Sequence, residues 1–195
     1  MTDVNLMPLL PAAQVLLTAL VVMLLDLFLN EHEKGLLAWI SLLGLALCGG
    51  ETVILWGSQE SAFGNTLILD NFALFFTQLF LVAAAVTILS SIQYVRDTKI
   101  HEGEFYALVL FATVGMVLMA AANDLIVFFL GLETMSIAVY VLTGIWRVSS
   151  RASEAAMKYF LMGAFATGFL LYGIALIYGA TGSTALNQIS AYLLE

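Results

Sequence analysis

The chain has 195 residues, 62% of them hydrophobic and only 10% charged, against roughly 25% charged residues in an ordinary soluble domain, so it reads as a membrane protein. A formal net charge of -8 excludes nucleic acid as a partner and offers an anionic lipid surface few cations to attract. With Cys48 the only cysteine, this chain alone cannot build an iron–sulfur cluster or a thiolate zinc site, which need several ligands.

Apolar runs of about 20 residues can cross a hydrocarbon core of roughly 30 Å, and they fall in order along the chain. The first runs from Leu9 to Leu29. No cation precedes Lys34, and the run exceeds a signal-peptide core, so it is read as a retained spanning helix. The second, Leu36 to Trp56, leads into the connector WGSQESAFGNTLILDN. Its Gly57, Gly64 and Asn65 favour turns around the short apolar stretch Thr66 to Leu69, which predicts a small extramembrane hairpin. The third and fourth runs are Phe72 to Tyr94 and Phe105 to Ala122. Only Asn123 and Asp124 separate the fourth from the fifth, Leu125 to Trp146. These two helices are therefore antiparallel neighbours joined by a tight turn, with Asp124 placed to cap the fifth.

The sixth run is Ala155 to Ala180. Continuous apolarity favours helices over barrel strands, which would alternate. The fold class is thus all-α, a polytopic transmembrane bundle with about six spanning helices. The tail GATGSTALNQISAYLLE reads as an interruption more than an end, with Ser190 to Leu194 beginning a further element of a longer protein. Lys34 occupies the first connector, Arg96 and Lys99 the third, Arg147 and Arg151 the fifth, and the second and fourth hold no Lys or Arg. By the positive-inside rule the odd connectors face the cytoplasm and the N-terminus lies outside.

One acid breaks the fifth run near its middle. Glu133 lies nine residues beyond Asp124, about 13 Å along a helix, close to the midplane. An ionisable group at that depth marks a transport path or is a structural acid hydrogen-bonded to a neighbouring helix. Low dielectric favours its neutral form and a nearby cation its ionised form, so a moving partner would load and unload a proton. Ser136 and Tyr140, at i+3 and i+7, share its face.

Lys158 follows Glu154 by four residues into the sixth run, a favourable order for an ion pair. It is either a lysine snorkelling to the interface, and so a fixed cation, or a buried proton carrier. The opposite directions of the two helices put Glu133 and Lys158 roughly 10 Å apart in depth, coupled through water and not in contact. Asp26 and Glu51 fall near run ends and are read as structural. Gly163, Gly168 and Gly173 offer small surfaces for helix packing.

The segment LGLETMSIAVYVLTG, followed by SEAAMKYFLMGAFATGFLLYGIALIYGATGST, and LDNFALFF in the third run, resemble the antiporter-like membrane subunits of proton-pumping NADH:quinone oxidoreductase, respiratory complex I. LETMS with SEAAMKYF is similar to the subunit N branch of that family in preference to the L and M branches. The resemblance implies about fourteen helices arranged as two inverted repeats, each with a broken helix. Residues 1–104 would supply three leading helices, and residues 105–195 the start of the first repeat. It further implies that Glu133 is the proton-translocating acid, with Lys158 as an additional, secondary lysine. The acid's lysine partners on the broken seventh helix and on the eighth would lie beyond Glu195.

The same resemblance implies a bacterial inner-membrane location, with the lipid bilayer, other membrane-arm subunits and neighbouring antiporter-like subunits as partners. No cofactor is expected on this chain. NADH, FMN, iron–sulfur clusters and quinone belong to other subunits, and the chain would act as part of a translocase without itself carrying out redox catalysis. A subunit of a multisubunit cation/proton antiporter and a non-transporting membrane scaffold are the alternatives.

Overall fold

A computed structural model describes residues 5–30, 33–98 and 100–194; Lys99, one of the orientation cations, lies outside the described residues. After a short 3-10 turn at Met7–Leu9, the helices are α1 Leu10–Asp26, α2 Leu36–Ile54, α3 Asn71–Thr98, α4 Glu102–Ala121, α5 Leu125–Thr143, α6 Ser150–Thr181 and α7 Leu186–Leu194. Strands β1 Glu60–Ala62 and β2 Leu67–Leu69 form the hairpin in the second connector. Six of the described helices are long and apolar enough to cross a membrane, and the chain is a multi-pass, all-α membrane bundle.

Several helices start or stop away from the ends of the apolar runs, because capping groups and not hydropathy set helix ends. Ser149 accepts a hydrogen bond from the Ala152 amide, so α6 begins well before Ala155. Asp70 Oδ1 accepts from the Ala73 amide at 2.8 Å at the start of α3. The α5 helix stops at Thr143, with Gly144 as its C-cap. Arg147, just beyond, pairs with Glu104 of α4 at 2.5 Å.

The inner seams of the first three helices follow the alternating three- and four-residue spacing of left-handed helix packing. They are Ala12, Val15, Ala19 and Val22 on α1; Ala38, Ser41, Leu45, Cys48 and Thr52 on α2; and Leu74, Thr77, Leu81, Ala84, Ile88, Ser91 and Val95 on α3. Many of these are small. Large side chains such as Leu17, Met23, Trp39, Leu43, Phe75 and Val86 point outward instead. Lipid solvates apolar groups as well as a core does, so close approach, and not exclusion of water, decides which face turns inward.

The most enclosed helix is α4, flanked by α1 and α3 on one side and α5 on the other. In contrast, α6 packs on α5, and Ile174 is its only fully buried residue. The hairpin pairs Glu60 with Leu69 and Ala62 with Leu67, and Leu67 and Leu69 point into the protein. Its turn holds Phe63, Gly64 and Asn65 at positive φ.

One end of the bundle is tied together by hydrogen bonds. Asn5 Nδ2 donates to Glu60 Oε2 at 2.7 Å, and the Asn123 amide donates to the Thr66 carbonyl at 2.9 Å. The N-terminal turn, the hairpin, the α4–α5 turn and the end of α6 therefore share one face of the bundle.

Candidate functional site

Glu133 is the ninth of the 19 residues of α5. That helix starts where Asp124 takes an extended conformation and its Oδ1 accepts from the Ile126 amide at 2.8 Å. The expected tight turn and cap are both present, and about 13 Å of helix separates that cap from the acid.

Two glycines bring the α5 backbone against α4. A Cβ added to Gly115 would lie 2.5 Å from the Gly131 carbonyl oxygen and 2.5 Å from the Met135 nitrogen. One added to Gly131 would lie 2.9 Å from the Gly115 oxygen. Only residues without a side chain allow this crossing. Glu133 lies between the two α5 residues, Gly131 and Met135, that touch Gly115.

The acid is half-buried, and its Oε1 is enclosed without a hydrogen-bond partner among the described residues. Buried polar atoms in proteins almost always have partners, so this oxygen stands out. Ser136 and Tyr140, on the same helical face, are each 9% exposed. The Tyr140 ring meets Tyr159 and Phe160 of α6 edge-on, with centroids 4.9 and 5.8 Å apart. Its hydroxyl occupies the space that a side chain at Gly163 would need.

Lys158 is on the outer surface of α6. It donates to Glu154 Oε1 at 2.5 Å, and the two side chains are 70% and 63% exposed. Tyr140 lies opposite Gly163 and Gly144 opposite Ala156. Glu133 is therefore level with a point near Gly168, and Lys158 with the end of α5, about 15 Å apart along the helices. The sequence-based separation of roughly 10 Å is too short, because the aromatic seam sets α6 lower against α5 than counting from apolar-run ends suggests.

The other intramembrane acids have protein partners. Asp26 faces Lys34 across 3.7 Å, although its Oδ1 takes no hydrogen bond among the described residues. The Gln14 amide, turned so that its nitrogen faces the acid, donates to Glu51. Beside Glu51, Gln78 Nε2 donates to the Gly49 carbonyl and the Thr52 hydroxyl.

Of the three α6 glycines expected to serve packing, Gly163 does so. A Cβ at Gly168 or Gly173 would meet nothing within 4 Å. The glycines that do seat the site, Gly115 and Gly131, carry no local signal beyond being small residues in apolar runs. Their pairing is a property of the crossing.

Residues 122–195 match a family described as the transmembrane domain of NADH:quinone oxidoreductase and Mrp antiporters, and this segment contains the whole of α5, Glu133 and Lys158. Through these residues the chain is similar to that family. Over 192 residues, 98% of its length, the chain is 47% identical to NADH-quinone oxidoreductase subunit N of Trichlorobacter lovleyi. Over 190 residues it is 45% identical to subunit N of Chloroflexus aggregans. In both comparisons it spans 39% of the relative's length.

Among solved structures it is similar to a chain of respiratory complex I from Thermus thermophilus with bound aureothin. The TM-score is 0.74 at 37% identity, covering 90% of this chain and 38% of that one. A chain of the archaeal membrane-bound sulfane sulfur reductase superposes with TM-score 0.79, covering 96% of this chain and 40% of that one. At 24% identity, that likeness concerns the fold.

Proposed function

We propose that the chain forms part of a proton-translocating membrane-arm subunit of a bacterial NADH:quinone oxidoreductase, with Glu133 as the group that takes up and releases the proton. The observation that carries this reading is the enclosed Glu133 Oε1 halfway along α5, without a hydrogen-bond partner among the described residues, beside the buried hydroxyl-bearing residues Ser136 and Tyr140. A cation moving close to a carboxyl favours its ionised form, and its departure favours the protonated one. A charge change in a neighbouring element thus becomes proton uptake or release at Glu133.

Lys158 is the secondary group of the same proposal, a cation about 15 Å from the acid along the helices that is coupled through water and not by contact. Residues 1–104 supply the leading helices and residues 105–195 the start of the translocating repeat. Partners are the lipid bilayer, other membrane-arm subunits and neighbouring antiporter-like subunits. NADH, FMN, iron–sulfur clusters and quinone act in other subunits, so the chain serves a translocase without performing its redox chemistry. In the bacterial inner membrane the hairpin end faces the periplasm together with the N-terminus, and the odd connectors face the cytoplasm. The Lys and Arg distribution supports that orientation.

The test is redox-driven proton pumping in sealed vesicles by an enzyme carrying Glu133→Gln. The complex should assemble and oxidise NADH with a reduced proton yield per electron pair. A normal yield from a fully assembled complex refutes the role given to Glu133, and a loss only in proportion to missing complex points to a scaffold. The family also includes Mrp antiporters, which keeps cation/proton exchange as a second reading. Sodium-dependent proton exchange without NADH oxidation would favour it.

A further inference from the structure

The turn before α5 does more than start a helix. Asp124 is only 7% exposed, and both of its carboxylate oxygens are engaged. Oδ1 accepts from the Ile126 amide at 2.8 Å, which caps α5. Oδ2 accepts from the Thr184 hydroxyl at 2.6 Å, sixty residues further on, just beyond the end of α6. Capping requires one oxygen; the second makes a separate tertiary bond.

Backbone bonds run alongside. The Leu125 amide donates to the Thr184 carbonyl at 2.9 Å, and the Leu186 amide donates to the Asn123 carbonyl at 3.0 Å. Asn123 ties the same turn to the hairpin, its amide donating to the Thr66 carbonyl and its side chain to the Asn65 carbonyl at 2.8 Å. An open groove of about 310 Å³, lined by Ile126, Leu171, Ile174, Ala175, Tyr178 and Thr184, separates the ends of α5 and α6.

We propose that Asp124 is a positioning residue for Glu133, its two oxygens pegging the start of α5 to the end of α6 and so setting the depth of the acid in the membrane. The inference rests on the role proposed above for Glu133. A helix transmits axial displacement along its length, and each residue of slippage is about 1.5 Å. The backbone seat of Gly131 on Gly115 leaves little room for a kink between peg and acid. Loss of the Thr184 hydroxyl loosens this peg by removing its side-chain bond, while the cap and the backbone bonds stay in place.

The experiment is infrared difference spectroscopy of the assembled complex during NADH-driven turnover, combined with proton yield in sealed vesicles. The carboxyl band lost in Glu133→Gln identifies the acid. In Thr184→Val, which keeps side-chain shape but removes the hydroxyl, that band should shift and the proton yield should fall at least twofold at unchanged complex abundance. Thr184→Ser should restore both, and Asp124→Asn, which keeps an oxygen for the cap and an N–H for Thr184, should lie close to the parent.

An unshifted band and full yield in Thr184→Val overturn the inference while leaving the role of Glu133 intact. A band and yield unaffected by Glu133→Gln overturn the reading beneath it. If Thr184→Val fails to assemble, Asp124→Ala is compared with Asp124→Asn by the same two readouts, and equal behaviour of that pair overturns the inference.

Discussion

Replacing Gly115 with alanine tests whether the α4–α5 backbone crossing holds the site. The added Cβ would lie 2.5 Å from the Gly131 oxygen and the Met135 nitrogen, where ordinary contact begins at 3.4 Å. The helices must therefore part by roughly 0.9 Å, since neither neighbour is a side chain that can rotate away. Overpacking of this kind costs about 1–3 kcal/mol, with backbone on the opposing side placing Gly115 at the upper end. Better helix propensity offsets up to about 1 kcal/mol of it, for a net destabilisation of about 2–3 kcal/mol. Thermal inactivation of the purified complex measures the loss, and the proton yield per electron pair shows whether Glu133 has moved with α5. Gly168→Ala is the matched control, because its Cβ meets nothing within 4 Å. If Gly115→Ala inactivates at the parent temperature with full proton yield, the crossing does not hold the site.

In the aromatic seam, Gly163→Ala pushes against the Tyr140 hydroxyl. Its destabilisation should be partly relieved in the double variant with Tyr140→Phe, and a thermal double-mutant cycle showing simple additivity would contradict the contact. Asn65 has a φ of 73°, so Asn65→Val should destabilise by about 1–2 kcal/mol while Asn65→Gly is tolerated, as read from protease resistance of the hairpin. Lys158→Met removes an exposed i,i+4 pair and should change stability by less than about 0.5 kcal/mol. A larger loss in thermal inactivation would show that Lys158 is buried against a partner in the assembled complex.

Hydropathy identifies the spans because each must be apolar along about 20 residues, and the two-residue gap at Asn123 and Asp124 is short enough to dictate an antiparallel pair. Turn formers around Thr66 to Leu69 likewise reveal the hairpin, and Asp124 its cap. The acid at the centre of α5 is legible for the same reason as the spans: a charge stands out against an apolar run.

What holds that acid is not legible in this way. Gly115 and Gly131 meet only because α4 and α5 cross at that level, while the more conspicuous spacing in α6 draws attention to Gly168 and Gly173, which face open space. The relative height of Glu133 and Lys158 is set by Tyr140 against Gly163, an inter-helix register that counting residues from apolar-run ends misplaces. Thr184 is similarly silent in a tail of small polar residues until folding brings it within 2.6 Å of Asp124.

The two faces of α5 differ in kind. Toward α4 it rests backbone on backbone at Gly115 and Gly131, a joint with no rotamers through which to yield. Toward α6 it rests on rings set edge to edge, Tyr140 against Tyr159 and Phe160, with the Tyr140 hydroxyl seated at Gly163. The first face is a weld and the second a keyed joint, so a change in the height of Glu133 must open the one or unseat the other.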